Sequence, residues 1–233
     1  MIKLGILGAM ELEVQALLAD MENKKSTVYA GTIFCEGKLS GLEVVVVQCG
    51  IGKVNAALCV QILCDRYQVT HLVNTGIAGS LCTKLDIGDL VISADAVYHD
   101  FDCCAFGYAM GQVPGMPPVF TADADLIAYA SAAANEVNPG HCIVGRIASG
   151  DKFVSDQKLK DMIIATTQAL CTEMEGAAIA QAAHRNSLPF VILRAISDKA
   201  DNSAQMDYST FEKLAAQHCS ELTKKLAMRL LDP

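Results

Sequence analysis

Two stretches decide the fold: Pro189-Phe190-Val191-Ile192-Leu193-Arg194-Ala195-Ile196-Ser197-Asp198 and, just upstream, Thr172-Glu173-Met174-Glu175-Gly176-Ala177-Ala178. The first has the apolar run of a buried strand and ends in Arg194, Ser197 and Asp198. The second reads as the start of a helix of small residues with two acids in its first turn. An α/β sheet binds its ligands outside the carboxyl ends of its strands. Glu175, Arg194 and Asp198 are therefore candidates for one pocket.

The same alternation extends outward. Residues 2–8 read as a buried strand and 11–21 as a helix. Residues 27–35 and 43–49 read as strands around a turn signal at 37–41, and 54–66 as a helix after Gly50-Ile51-Gly52. Strands are expected at 71–75, 89–94 and 141–149, with helices at 126–137, 159–167 and 208–231. Residues 98–118 show no period and carry three glycines and three prolines. A loop this long in a compact domain is commonly functional. Repeated strand–turn–helix units predict one α/β domain over 1–233, an α/β/α sandwich around a mixed, largely parallel sheet.

The chain of 233 residues is 52% hydrophobic, enough for a sizeable core. Its 18 Lys and Arg against 26 Asp and Glu, a formal charge of -8, disfavour a nucleic-acid binder. The ten cysteines contain no C-x-x-C, so neither a disulfide framework nor a metal site is indicated. The acids Glu11 and Glu13 come too early for a signal peptide. No apolar run reaches the roughly 18 residues of a membrane span. A cytoplasmic protein without metal or cofactor is expected.

Each candidate has a plain structural reading beside the chemical one. Asp198 closes an apolar strand, where desolvation raises a carboxyl pKa and suits a general acid. It could equally cap a turn or pair with Lys199. Thr172-x-x-Glu175 fits a capping box. Glu173 and Glu175 are two apart, so at most one is expected in a given pocket. Glu11 and Glu13 suit the first turn of a helix, or one of them joins Asp198 at the sheet edge. Gly50-Ile51-Gly52-Lys53 lacks the spacing of a phosphate loop or dinucleotide fingerprint.

Taken in order, several motifs resemble those of the 5′-methylthioadenosine/S-adenosylhomocysteine nucleosidases of the nucleoside phosphorylase superfamily. They are Gly8-Ala9-Met10-Glu11-x-Glu13, Gly50-Ile51-Gly52-Lys53-Val54, Asn74-Thr75-Gly76, Tyr98-His99-Asp100, Ala105-Phe106-Gly107-Tyr108, Ser149-Gly150-Asp151, Glu173-Met174-Glu175 and Arg194-Ala195-Ile196-Ser197-Asp198. The resemblance covers almost the whole chain. It implies a nucleoside phosphorylase-like sandwich, usually a homodimer, that releases adenine from a thio-substituted adenosine with water as the nucleophile.

By this resemblance Glu13 is the base that activates water, with Arg194 beside it, and Asp198 protonates N7 of the adenine. Glu175 holds the ribose hydroxyls and Met174 packs on the sugar. Phe153 stacks on the base and Val154 offers it backbone hydrogen bonds. Met10, Ile51, Phe106 and Tyr208 form the pocket for the 5′ substituent. Pro114 falls in a loop that crosses to the partner's site. Ile77 departs from the family, which often has Ser there, and Gly79-Ser80 varies from Gly-Gly. Three rivals stay open: an aminodeoxyfutalosine hydrolase, a purine nucleoside phosphorylase, and a nucleoside-binding module without catalysis.

Overall fold

The computed structural model describes residues 2–231; Met1, Asp232 and Pro233 lie outside it. In chain order the elements are β1 (Lys3–Gly8), α1 (Glu11–Asp20), β2 (Glu22–Tyr29), β3 (Thr32–Leu39), β4 (Leu42–Gln48), α2 (Lys53–Tyr67), β5 (His71–Ser80) and β6 (Leu90–Tyr98). Then follow β7 (Phe120–Thr121), α3 (Ala124–Val137), β8 (Cys142–Ser149), α4 (Gln157–Thr167), β9 (Cys171–Glu173), α5 (Gly176–Arg185), β10 (Phe190–Asp198) and α6 (Ala204–Arg229). Local chemistry starts the helices where the sequence allows it. Asp123 accepts the Leu126 N–H at 3.0 Å, and Asp156 accepts the Leu159 N–H at 2.9 Å, the usual N-cap bond.

One sheet runs β10-β6-β8-β9-β5-β1-β4-β3-β2, with β7 on β6. Strand β10 also pairs with β5, so β5, β9, β8, β6 and β10 close into a ring. Parallel pairing holds the centre: β1 with β4 and β5, and β10 with β5. The β2–β3–β4 extension is antiparallel.

Strand residues alternate between the two faces. Val45, Val47 and Ile192 pack with α2 and α5, against Ala56, Val60, Leu63, Ala177 and Ile179. Val44, Val46, Leu193 and Ala195 pack with α1, α3 and α6, against Val14, Leu17, Leu126, Leu222 and Leu226. Helix–sheet–helix layering follows, with Ile163 of α4 closing a third small cluster against Val97 and Ala148. Among the described residues, no helix is long and apolar enough to cross a membrane.

Three local expectations are corrected. The strand expected at 27–35 is a hairpin, turning at Ala30 (φ 50°) and Gly31 (φ 78°). Strand β5 does not stop at Thr75 but runs to Ser80, paired to β10 and β9. The helix expected from Glu173 starts at Gly176, because 171–173 form β9 between β5 and β8.

Candidate active site

The carboxyl ends of β1, β4, β5, β8, β9 and β10 surround a cavity of about 500 Å³, within the range of small-molecule sites. Glu13 enters it from the first turn of α1, Ile77 and Gly79 from β5, Phe153 and Val154 from the loop after β8, and Glu173, Met174 and Glu175 from β9 and the start of α5. Asp198 enters from β10, Tyr208 from α6, Met10 from the loop after β1 and Ile51 from the loop after β4.

Asp198 is 2% exposed. Its Oδ1 accepts the Ala200 N–H at 2.8 Å and its Oδ2 accepts the Ser197 hydroxyl at 2.8 Å. Burial pushes its pKa up; those two donors oppose the rise, and Asp207 and Asp201 add to it. The turn-capping reading holds, and burial favours the protonated form of the same side chain. Lys199 is not its partner: that ammonium goes to the Leu85 carbonyl and Asp86.

Glu13 is 4% exposed. Its Oε2 accepts the Ala9 and Met10 N–H groups at 2.7 and 2.9 Å, and its Oε1 accepts the Ile77 N–H at 3.0 Å. Burial raises its pKa against the opposing pull of Arg194 and these three donors. Glu11, at the same helix start, does not line the cavity. The Ile77 backbone serves Glu13 while its side chain forms cavity wall.

The capping-box reading of Glu175 is overturned. Glu175 is itself the N-cap of α5 and makes no cap bond with its side chain; the Thr172 hydroxyl is buried without a partner. Instead Glu175 Oε1 accepts the Gly52 N–H at 2.9 Å. Burial, with Glu173 adding, pushes its pKa up to about 8, although Arg194 and Gly52 pull it down.

Glu173 also reaches the cavity, against the expectation that only one of the two acids would. That expectation assumed a helix; Glu173 ends a strand, so helical spacing does not apply. Sequence reasoning had assigned Glu173 no site role, and Gln205 and Lys152 at the rim were missed with it.

Arg194 is 1% exposed and does not line the cavity. Its Nη2 donates to Glu173 Oε2 and, at 2.5 Å, to Asn74 Oδ1. Burial works against its charge, but Glu173, Glu13 and Glu175 hold the guanidinium protonated. A Cβ on Gly76 would lie 2.9 Å from Arg194 Nη1 and collide with the Glu13 carboxylate. Arg194 thus lies beside Glu13 but behind the wall.

Phe153 stands edge-on to Tyr208 at 5.7 Å, and the Tyr208 hydroxyl meets Met10 Sδ at 3.2 Å. Phe106 does not join them: it is 81% exposed, on a 3-10 turn over Cys104–Phe106, outside its own chain's cavity. Pro114 also lies outside that cavity. No cluster of metal-ligating side chains occurs among the described residues.

Residues 3–231 match the phosphorylase superfamily, to which this fold and site belong. The 5′-methylthioadenosine/S-adenosylhomocysteine nucleosidase of Geobacillus thermodenitrificans is 44% identical over 221 residues, 94% of each chain. The structure of the nucleosidase of that name from Neisseria meningitidis, in complex with methylthio-immucillin-A, aligns with a TM-score of 0.96 at 37% identity, covering 98% of this chain and 100% of that one. The futalosine hydrolase of Helicobacter pylori aligns with a TM-score of 0.93 at 32% identity, covering 98% of each. Within the superfamily, this chain belongs to the 5′-methylthioadenosine/S-adenosylhomocysteine nucleosidase family.

Proposed function

We propose that the protein hydrolyses the N-glycosidic bond of 5′-methylthioadenosine and S-adenosylhomocysteine, releasing adenine and the 5-thio-substituted ribose. One observation carries this reading: Glu13 from the first turn of α1 and Asp198 from the end of β10 enter a single cavity, with Glu175 in the same wall. Such a bond breaks through a ribosyl cation, and adenine leaves well only when protonated. Asp198, whose burial favours the protonated form, gives its proton to N7. Glu13, whose charged form is favoured against burial by Arg194 and three backbone N–H donors, takes a proton from the water that attacks C1′ from the opposite face.

General acid catalysis supplies about 10²–10⁴-fold, whereas enzymes commonly lower barriers by about 8–23 kcal/mol. Glu175 adds to it by holding the ribose hydroxyls and facing the developing positive charge. Phe153 stacks on the base, the Val154 backbone hydrogen-bonds it, and Met174 packs on the sugar. Met10, Ile51, Ile77 and Tyr208 give the 5′ end an apolar wall. Phosphate is a poor fit here, because Arg194 is engaged by Glu173 and the wall beside it carries carboxylates.

The exposed side chains Ile51, Val54 and Leu58 at the start of α2, together with Phe106, support a homodimer. In it, Phe106 and the loop at Pro114 would reach the second copy's cavity. Ten unpaired cysteines fit a reducing, cytoplasmic setting. The test is incubation with 5′-methylthioadenosine, S-adenosylhomocysteine, aminodeoxyfutalosine and adenosine, each with and without phosphate. Adenine release from the first two without phosphate is expected. Sugar phosphate formed only with phosphate would refute hydrolysis. Preference for aminodeoxyfutalosine would favour the second reading, which the likeness to the Helicobacter pylori futalosine hydrolase supports.

A further inference from the structure

We propose that Glu173 is a positioning residue for this reaction: its buried carboxylate fixes Arg194 on the water side and Glu175 on the ribose side relative to each other. The proposal rests on the function argued above. Glu173 is 7% exposed at the end of β9. Its Oε1 accepts the Ser149 hydroxyl and the Gly176 N–H at 3.0 Å. Its Oε2 accepts the Glu175 N–H at 3.1 Å, the Gly176 N–H at 2.7 Å and Arg194 Nη2. One carboxylate thus joins the ends of β8 and β9 and the middle of β10 to the N-terminus of α5. These contacts occupy its lone-pair directions, so it borders the cavity without being free to hold substrate.

The linkage continues on both sides. Arg194 bonds to Asn74, whose Nδ2 donates to the Leu7 carbonyl at 3.0 Å, next to the strand end that leads to Glu13. On the other side the Glu175 side chain goes on to Gly52 at the start of α2. The fold leaves little slack at this joint: a Cβ on Gly176 would lie 2.9 Å from Glu173 Oε1 and 2.9 Å from Ile192 Cδ1.

Charge points the same way. Three carboxylates, Glu13, Glu173 and Glu175, face one guanidinium, with Glu175 Oε2 3.8 Å from Arg194 Nη2. The other ionisable groups facing this cluster are Cys49 after β4, Cys171 on β9, Cys219 and Tyr208 on α6, and Tyr98 and His99 at the end of β6. Burial pushes the thiols and the phenols up and the imidazole down, which keeps all of them uncharged near neutral pH. Arg194 is therefore the cluster's positive charge, and Glu173 both neutralises it and works against ionisation of Glu175.

The test is Glu173→Gln, assayed for adenine release from 5′-methylthioadenosine across pH. An amide accepts with one oxygen only: turned toward Arg194 it leaves the Ser149 hydroxyl facing an NH2 group, and turned toward Ser149 it leaves Arg194 and the Glu175 N–H facing one. Either way the charge that holds the guanidinium is gone. We expect kcat to fall about tenfold or more with KM within about threefold. The acidic limb of kcat/KM should move to lower pH by about one pH unit, because a charge beside Glu175 is gone. Unchanged kcat, or a lowered kcat with an unmoved limb, overturns the proposal. If this variant does not fold, Glu173→Asp decides: it keeps the charge and shortens the reach, so kcat should drop with the limb in place, and wild-type kcat would overturn the proposal. A wild-type protein that releases no adenine would instead remove the underlying reading.

Discussion

Replacing Glu13 by Gln changes one atom and has two separable consequences. The carboxylate accepts three buried N–H groups: Ala9 and Met10 on Oε2, Ile77 on Oε1. A carboxamide offers one oxygen. Turned toward Ala9 and Met10, it leaves the Ile77 N–H facing an NH2 group; turned the other way, it leaves two donors unpaired. The first orientation costs less, and one unpaired buried donor costs about 1–3 kcal/mol. Burial already disfavours the charge on Glu13, so the neutral amide recovers part of its desolvation and the cost falls near the lower end. For a chain of this size that lowers Tm by about 2–4 °C per kcal/mol. The lost base costs more, about 10²–10⁴-fold in rate, which is roughly 2.7–5.4 kcal/mol. The assay is adenine release under saturating 5′-methylthioadenosine at 25 °C, beside thermal unfolding by circular dichroism. A variant that melts a few degrees early yet turns over within threefold of wild type would refute the role of Glu13.

Asp198→Asn is expected to lower adenine release about 10²–10⁴-fold, with chromatography of the products as the check. In the wild type, Asp198 has a raised pKa and donates only while protonated, so kcat/KM should fall as pH rises through that value; a profile still flat well into the alkaline range would contradict this. The same sign applies to stability: its contribution is complete below the ordinary carboxyl value and is lost as pH climbs through the raised one. Burial and Glu173 push the Glu175 carboxyl up to about 8, which favours its protonated form at neutral pH. Binding a ribose to its carboxylate should release about one proton, seen as a calorimetric enthalpy that changes with the buffer's ionisation heat. Phe153→Ala should raise KM more than it lowers kcat, since stacking on a base contributes about 1–3 kcal/mol; a change confined to kcat would count against a base-stacking role.

The legible parts of the fold were those whose side chains answer to local rules. Strands β1, β4 and β10 are continuous apolar runs buried on both faces, and α3 and α4 begin at aspartate caps. The less legible parts depend on partners far away in sequence. Gly76 and Gly79 look like a strand end, yet β5 continues through both. Their missing side chains leave room for Glu13, Arg194 and Asp198, whose Oδ1 would lie 2.8 Å from a Cβ on Gly79. Two glycines spaced three apart beside candidate acids were the signal available. The closure of β10 onto both β5 and β6 leaves no trace in any single segment, because it is set by pairing between distant strands. At the site, Glu173 was overlooked because its neighbours Thr172 and Glu175 imitate a helix start. In the fold, the N–H groups at that start are taken by Glu173.

The account stands on water, readied by Glu13, attacking a sugar whose adenine is protonated by Asp198. The most direct measurement is turnover of 5′-methylthioadenosine in ¹⁸O-enriched water with phosphate present, followed by mass spectrometry of the products. The account predicts free adenine and a 5-methylthioribose carrying the label at its anomeric oxygen, at a rate indifferent to phosphate. An unlabelled sugar bearing phosphate at that carbon would contradict it.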